Sequence, residues 1–226
     1  MTIKQNFNDI SKTIIDTKSC VNRTSDLIKL LAVSKTRTAA EIKTLYGLGQ
    51  VAFGESYLQE ALSKQQELLD CHIEWHFIGP IQSNKTSQIS HHFNWVHSLC
   101  REKIAKRLND ARSTRPFPLN VLVQVNINQE NNKEGLSVSQ VSDFCQSLSQ
   151  LPHLRLRGLM AIPQKSDTFE EQCKHFSKLH DLYKHNQKRF QFDTLSMGMS
   201  TDYQAAIAEG STLLRIGSLL FGEPIK

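Results

Sequence analysis

The chain has 226 residues, 39% hydrophobic and 22% charged, a globular composition long enough for one full core or two small ones. Its net charge of +5 is scattered along the sequence rather than gathered into a basic stripe. With no RNA- or DNA-binding motif beside it, that charge argues against nucleic acid as a partner and leaves a mild preference for anionic ligands.

In chain order, the N-terminal stretch MTIKQNFNDISKTIID is polar, lacks the apolar run of a signal peptide and predicts an amphipathic helix over about residues 5–23. Short apolar runs then alternate with helical patterns. The predicted strands are 28–34 (IKLLAVS), 50–54 (QVAFG), 73–79 (IEWHFIG), 93–99 (FNWVHSL), 119–127 (LNVLVQVNI), 154–160 (LRLRGLM), 192–198 (FDTLSMG) and 211–217 (STLLRIG). Helices are predicted from TAAEIKTLYGLG, SYLQEALSKQQELL, REKIAKRLNDAR, SVSQVSDFCQSLSQL and FEEQCKHFSKLHDLYKHNQKRF, and every strand but the last is followed by a helix or helical turn.

Repeated strand–helix units imply a parallel sheet with right-handed crossovers, and eight of them in this length fit a (β/α)8 TIM barrel better than an open sheet. No Pro- or Gly-rich linker and no internal repeat divides the sequence, so residues 1–226 read as one α/β domain with an extra N-terminal helix. The five cysteines are odd in number and widely spaced, with no C-x-x-C pair, which fits a reducing cytosol and a cytoplasmic protein. No segment is long enough to span a bilayer.

Active sites of such barrels sit at the carboxyl ends of the strands, and strand one ends on Lys35. Alternation places Leu31, Val33 and Lys35 on one face and Leu30, Ala32 and Ser34 on the other. With the first face lining the barrel, the Lys35 amine emerges at its mouth over an apolar floor. Desolvation and neighbouring cations there favour the neutral amine and Schiff-base chemistry with an aldehyde or ketone. A surface lysine just past a strand end is the competing reading.

The other end of the sequence carries a second feature. SMGMSTDYQAAIAEGST follows strand seven and RIGSLLFGE follows strand eight, the two positions where barrels often hold a phosphate. Ser200 and Thr201 can act as caps and donors, with Asp202 opening the helix DYQAAIAEG, and the N–H groups of Gly217 and Ser218 complete a candidate anion cradle. Ordinary capping and a glycine turn explain either segment alone, but less well the pair. An aldehyde acceptor and a phosphate cradle on one barrel point to pyridoxal 5'-phosphate (PLP). Arg215 then falls where it can meet the pyridine nitrogen, to which it cannot give up its proton.

The motifs AVSKTR, FGESYLQE, WHFIGPIQSNK, VNINQENNKEGL, RGLMAIP, LSMGMSTDYQAAIAEGST and LRIGSLLFGE, in this order, resemble the pyridoxal-phosphate homeostasis family (YggS/PROSC type) along nearly the whole length. The resemblance implies a barrel similar to the N-terminal domain of alanine racemases, a fold-type III-like arrangement with PLP on Lys35. It implies phosphate contacts from Ser200, Thr201, Gly217 and Ser218, and places Arg215 beside the ring. Met199 and Ser56 join the cofactor-binding positions, Asn84 and Lys85 match positions near the mouth, and Lys133 matches a lysine linked to secondary cofactor binding. Ser56 stands where the family usually has asparagine, Arg37 where a second lysine is common, and the ending FGEPIK lacks the usual arginine. A monomer that carries or buffers PLP for vitamin B6 homeostasis is implied, with apo forms of PLP-dependent enzymes as recipients.

Other features read as ordinary structure. His72 and His76 in HIEWH are not H-E-x-x-H and lie on a predicted strand, so no metal site is expected. His91, His92 and His97 flank a strand and are expected to be solvated or satisfied by backbone. Tyr203 is expected to pack or to face solvent. The long helix 169–190 reads as a core-facing stripe. Alanine racemases of this barrel type add a second base from a separate β-domain, for which residues after the last strand leave no room. Carriage without robust catalysis is therefore expected. The alternatives are a weak amino-acid racemase or other PLP-dependent enzyme, and a Schiff-base aldolase for phosphorylated sugars, which would need more carboxylates at the strand ends.

Overall fold

Side chains at helix starts set where the chain turns. Thr2 and Gln5 exchange side-chain and backbone hydrogen bonds in a capping box that opens α1 (Ile3–Cys20). Strand β1 (Lys29–Val33) follows, and Thr38 with Glu41 forms the same box at α2 (Ala39–Tyr46). Next come β2 (Ala52–Glu55), α3 (Leu58–Glu67), β3 (Glu74–Phe77), α4 (Thr86–His92), β4 (Trp95–Leu99), α5 (Glu102–Arg112) and β5 (Leu119–Gln124). The chain then forms α6 (Val141–Leu148), β6 (Leu154–Met160), α7 (Phe169–Phe190), β7 (Thr194–Ser196), α8 (Tyr203–Ala208), β8 (Leu213–Ile216) and α9 (Ser218–Phe221). Short 3-10 turns occupy Ser83–Lys85 and Val138–Gln140. These elements come from a computed structural model that describes residues 2–128, 130 and 133–222.

All eight strands pair in parallel and in sequence order, and β8 closes on β1 with Leu31 opposite Arg215. The (β/α)8 barrel read from the alternation is the fold. Two buried layers hold it. Outside the barrel wall, Phe53, Phe77, Val96, Val121, Leu159 and Ile216 pack with helix residues such as Ile42, Leu45, Ile89, Leu108 and Phe176 in one apolar cluster. Inside, Trp95, Leu122 and Met160 form a separate small cluster. Polar side chains fill much of the remaining interior, because His97 on β4 reaches Ser196 on β7, a strand it does not neighbour.

The structure corrects two expectations about elements. The last strand does have a helix after it, since α9 starts directly from Gly217. Strands β2, β3, β7 and β8 are four, four, three and four residues long, shorter than their apolar runs. The outer residues of those runs still bury apolar surface, but they already belong to the loops: Met197 is buried, and Gly198 turns the chain with φ 92°.

Candidate functional site

On β1 the alternation holds through to the loop. Val33 and Lys35 face a cavity at the carboxyl ends of the strands, whereas Ser34 points outward and is fully buried against β2 and α3. There the Ser34 hydroxyl donates to Glu55 Oε1 at 2.6 Å, and Lys64 of α3 donates to Ser34 O at 2.7 Å, Glu55 Oε1 at 2.8 Å and Glu60 Oε1 at 2.5 Å. Glu60 in turn accepts the Thr36 N–H at 2.5 Å, and Thr36 takes the left-handed conformation with φ 63°. Both neighbours of Lys35 are therefore held by one buried ionic cluster. Glu55 sits in it with its carboxyl raised by burial, which the Lys64 ammonium opposes.

The cavity has a volume of about 400 Å³ and is lined by Lys35, Ser56, Met199, Ser200, Thr201, Arg215, Gly217 and Ser218 among others. Eight of the ten positions expected at the site thus meet in one place. Asn84 and Lys133 do not line it. Asn84 is exposed on the turn after β3. The Lys133 ammonium lies 2.7 Å from Glu130 and 3.2 Å from Pro163 O. Residues 129, 131 and 132 of the motif around Lys133, and residues 223–226 of the FGEPIK ending, lie outside the described residues. Sequence reasoning missed Ile78, Met160 and Ile162, the apolar wall of the cavity. The signal was there: the inward alternation that marks Lys35 on strand one also marks Ile78 on strand three and Met160 on strand six.

Lys35 itself is exposed, so the desolvated amine expected from the sequence is not what the structure shows. The apolar floor lies beneath it, but the mouth is open to water. Cations do surround it, since Arg37 and Arg215 line the same cavity. Arg37 is tied to the last helix: its guanidinium donates to Gly222 O and to Phe221 O, and lies 5.6 Å from the Phe221 ring centre.

Arg215 is 4% exposed. Its guanidinium donates to Ser196 Oγ at 2.8 Å and to Ala161 O at 3.0 Å, and burial pushes its pKa down to about 10, so it stays cationic at neutral pH. The loops after β7 and β8 approach each other, with the Leu219 N–H 3.5 Å from Ser200 Oγ. Asp202 does not cap its own helix; its carboxylate accepts the Met199 N–H at 2.6 Å and shapes the loop that carries Ser200 and Thr201. Ser56 is pressed against Gly79, where an added Cβ would stand 2.1 Å from Ser56 O.

A larger cavity, about 530 Å³, opens at the opposite end, lined by Lys29, His72, Glu74, Asn94, Trp95, Asn120 and Arg157. It lies at the amino ends of the strands, the end that barrels use for stability rather than chemistry. The expectation that His97 is solvated or satisfied by backbone is corrected: it is fully buried and bonded to His76 and Ser196. Among the described residues no three His, Cys, Asp or Glu lie close enough to hold a metal ion, and no helix is long and apolar enough to cross a membrane.

A parallel barrel with a lysine after its first strand and hydroxyls after its last two defines a class. Residues 16–224 match the family described as alanine racemase, N-terminal domain, and the chain belongs to that family. Within it, relatives that match over nearly their full length include pyridoxal phosphate homeostasis proteins. Those of Pasteurella multocida and Pseudomonas aeruginosa are 45% and 47% identical to this chain, each over 98% of it, and are themselves covered over 97% and 95%. The solved structure of PipY from Synechococcus elongatus PCC7942 with PLP bound is 34% identical, with a TM-score of 0.80 over 92% of this chain and 100% of that one. An alanine racemase of Clostridium difficile shares the fold at 14% identity and a TM-score of 0.73, and this chain covers 56% of it.

Proposed function

We propose that the protein binds PLP in the cavity at the carboxyl ends of its strands and carries or buffers it for vitamin B6 homeostasis. One observation bears most of the weight: a primary amine, two buried guanidiniums and five hydroxyl-bearing side chains border the same cavity of about 400 Å³. When bound, PLP supplies an aldehyde that condenses with an amine, releasing water, and a pyridine ring that can accept electrons. Lys35 is the attachment point, and its position is set by the ionic cluster on the reverse side of β1. Ser200, Thr201 and Ser218 offer hydroxyl donors to a phosphate, with Gly217 keeping the backbone low between them. Ile78, Met160 and Met199 provide apolar surface for a ring. Arg215 meets the ring nitrogen as a donor that does not release its proton, which weakens the ring as an electron sink.

The residues lining this cavity also support carriage over turnover. Among the described residues that line it, Lys35 is the one side chain that can serve as a base; the other ionisable groups are arginines. Racemisation needs proton removal on one face of a carbon and delivery on the other, so a lone base serves half the reaction. An open mouth excludes water poorly but suits release to another protein. In this reading residues 1–226 act as one cytoplasmic, monomeric domain, apo forms of PLP-dependent enzymes are the recipients, and Asn84 and Lys133 contribute outside the main cavity.

Borohydride reduction of the PLP-loaded protein tests the assignment. It should fix the pyridoxyl mass on the peptide containing Lys35, and Lys35→Ala should lose the visible colour. Label found chiefly on Lys85 or Lys133 would overturn it.

A further inference from the structure

The interior of a (β/α)8 barrel is ordinarily filled by layers of branched apolar residues. Here a file of polar side chains crosses it. Arg215 Nη1 donates to Ser196 Oγ at 2.8 Å, and Ser196 Oγ lies 3.2 Å from His97 Nδ1. His97 Nε2 lies 2.9 Å from His76 Nδ1, and His76 Nε2 lies 3.1 Å from Glu74 Oε1. Ser196 and His97 are 0% exposed, His76 1% and Arg215 4%. Arg215 borders the cavity at the carboxyl ends of the strands, and Glu74 borders the one at their amino ends. Four hydrogen bonds therefore join the two ends of the barrel through its core.

With one proton on each of the two buried rings, the direction of every bond follows from the two end groups. An arginine only donates and an ionised carboxylate only accepts. Ser196 accepts from Arg215 and gives its own proton to His97 Nδ1. His97 then carries its proton on Nε2 and donates to His76 Nδ1, and His76 donates from Nε2 to Glu74. The reverse sense would turn the unprotonated Nε2 of His76 toward the Glu74 carboxylate, lone pair against lone pair. Burial disfavours the charged form of both rings, and the Arg215 charge adds to this at His97. Donation from His76 holds the Glu74 carboxyl below the usual range. Hydrogen bonds aligned in one sense polarise each other, by about 10–30% per bond.

We propose that Ser196, His97, His76 and Glu74 are positioning residues for Arg215: a one-way relay that fixes the guanidinium at the cofactor cavity and couples it to a carboxylate on the opposite face of the barrel. A buried polar file of this kind is costly unless every member is satisfied, and here the five linked groups satisfy one another. Its role at the cofactor rests on the reading of the site given above. Its direction does not.

Nitrogen NMR of the full-length, isotope-labelled protein without cofactor tests the direction. Both His76 and His97 should be neutral with the proton on Nε2, and a proton on Nδ1 or an imidazolium at either ring would overturn the relay. Titration with PLP, followed by absorbance and by NMR together, tests the coupling. The His97 and His76 signals should move as PLP binds. In Ser196→Ala, which cuts the file without adding bulk, the His76 response should vanish and PLP affinity should fall about tenfold. Glu74→Gln, at a partly exposed strand end, keeps an acceptor and removes only charge. It should shift the absorbance maximum of bound PLP, and an unchanged maximum would count against the relay even if Ser196→Ala fails to fold. No absorbance change on adding PLP to the wild type would overturn the reading of the site itself. PLP binding with unmoved His76 and His97 signals would overturn the relay alone.

Discussion

Replacing Lys64 by methionine isolates the cluster that holds Lys35 in place. Lys64 is 5% exposed and its ammonium serves Ser34 O and two carboxylates. Methionine keeps most of the aliphatic stem and removes the charge and all three donors. The side chain of Glu60 is 28% exposed and recovers water, but that of Glu55 is 0% exposed and does not. The loss therefore falls on Glu55. Removing one partner of a buried ion pair costs about 3–5 kcal/mol, which in a protein of this size lowers Tm by roughly 6–20 °C. The penalty should depend on pH. Burial already raises the Glu55 carboxyl above its ordinary value, and losing Lys64 raises it further. An acid raised on folding favours the folded state below its unfolded pKa, and that contribution disappears as pH rises through the folded pKa. The difference between variant and wild type should thus be full at about pH 8 and smaller at about pH 5. Urea unfolding followed by tryptophan fluorescence, with both proteins at both pH values, measures it. A difference under about 1 kcal/mol at the higher pH, or a larger one at the lower, would refute the argument.

Three further outcomes are expected. Ser200→Ala with Thr201→Ala should weaken PLP binding by at least about tenfold while leaving affinity for unphosphorylated pyridoxal nearly unchanged; equal losses for both ligands would mean collapse of the site rather than lost phosphate recognition. Gly79→Ala places a Cβ 2.1 Å from Ser56 O. Because that neighbour is backbone, thermal unfolding should show a loss of about 1–3 kcal/mol, and an unchanged Tm would contradict the packing. The PLP-loaded protein incubated with L- or D-alanine in deuterated water should exchange the α-proton slowly or not at all and without inversion, since a missing acid/base costs about 10²–10⁴-fold. Exchange with inversion, well above the rate of free PLP, would restore the racemase.

Much of this protein was legible along the chain because period and order are local properties. Alternation at Leu31, Val33 and Lys35 was enough to aim the lysine into the barrel, and the run of strand–helix units was enough to count to eight. The hydroxyl-bearing loops after β7 and β8 stood out because a barrel brings strands eight and one together, so the two ends of the sequence had to meet. What the sequence left undecided was which polar residues pair once the wall closes. His97 looked like a strand-edge histidine, yet closure sets it against Ser196, 99 positions away. Nothing in the period of SYLQEALSKQQELL sets Lys64 apart, yet packing of α3 on the wall drives its ammonium between Glu55 and Ser34. Even the exposure of Lys35 was a tertiary matter, because periodicity tells which way a side chain points but not whether water reaches it. Facing direction follows from backbone geometry one residue at a time. Desolvation and partner choice depend on everything the fold brings within a few ångströms.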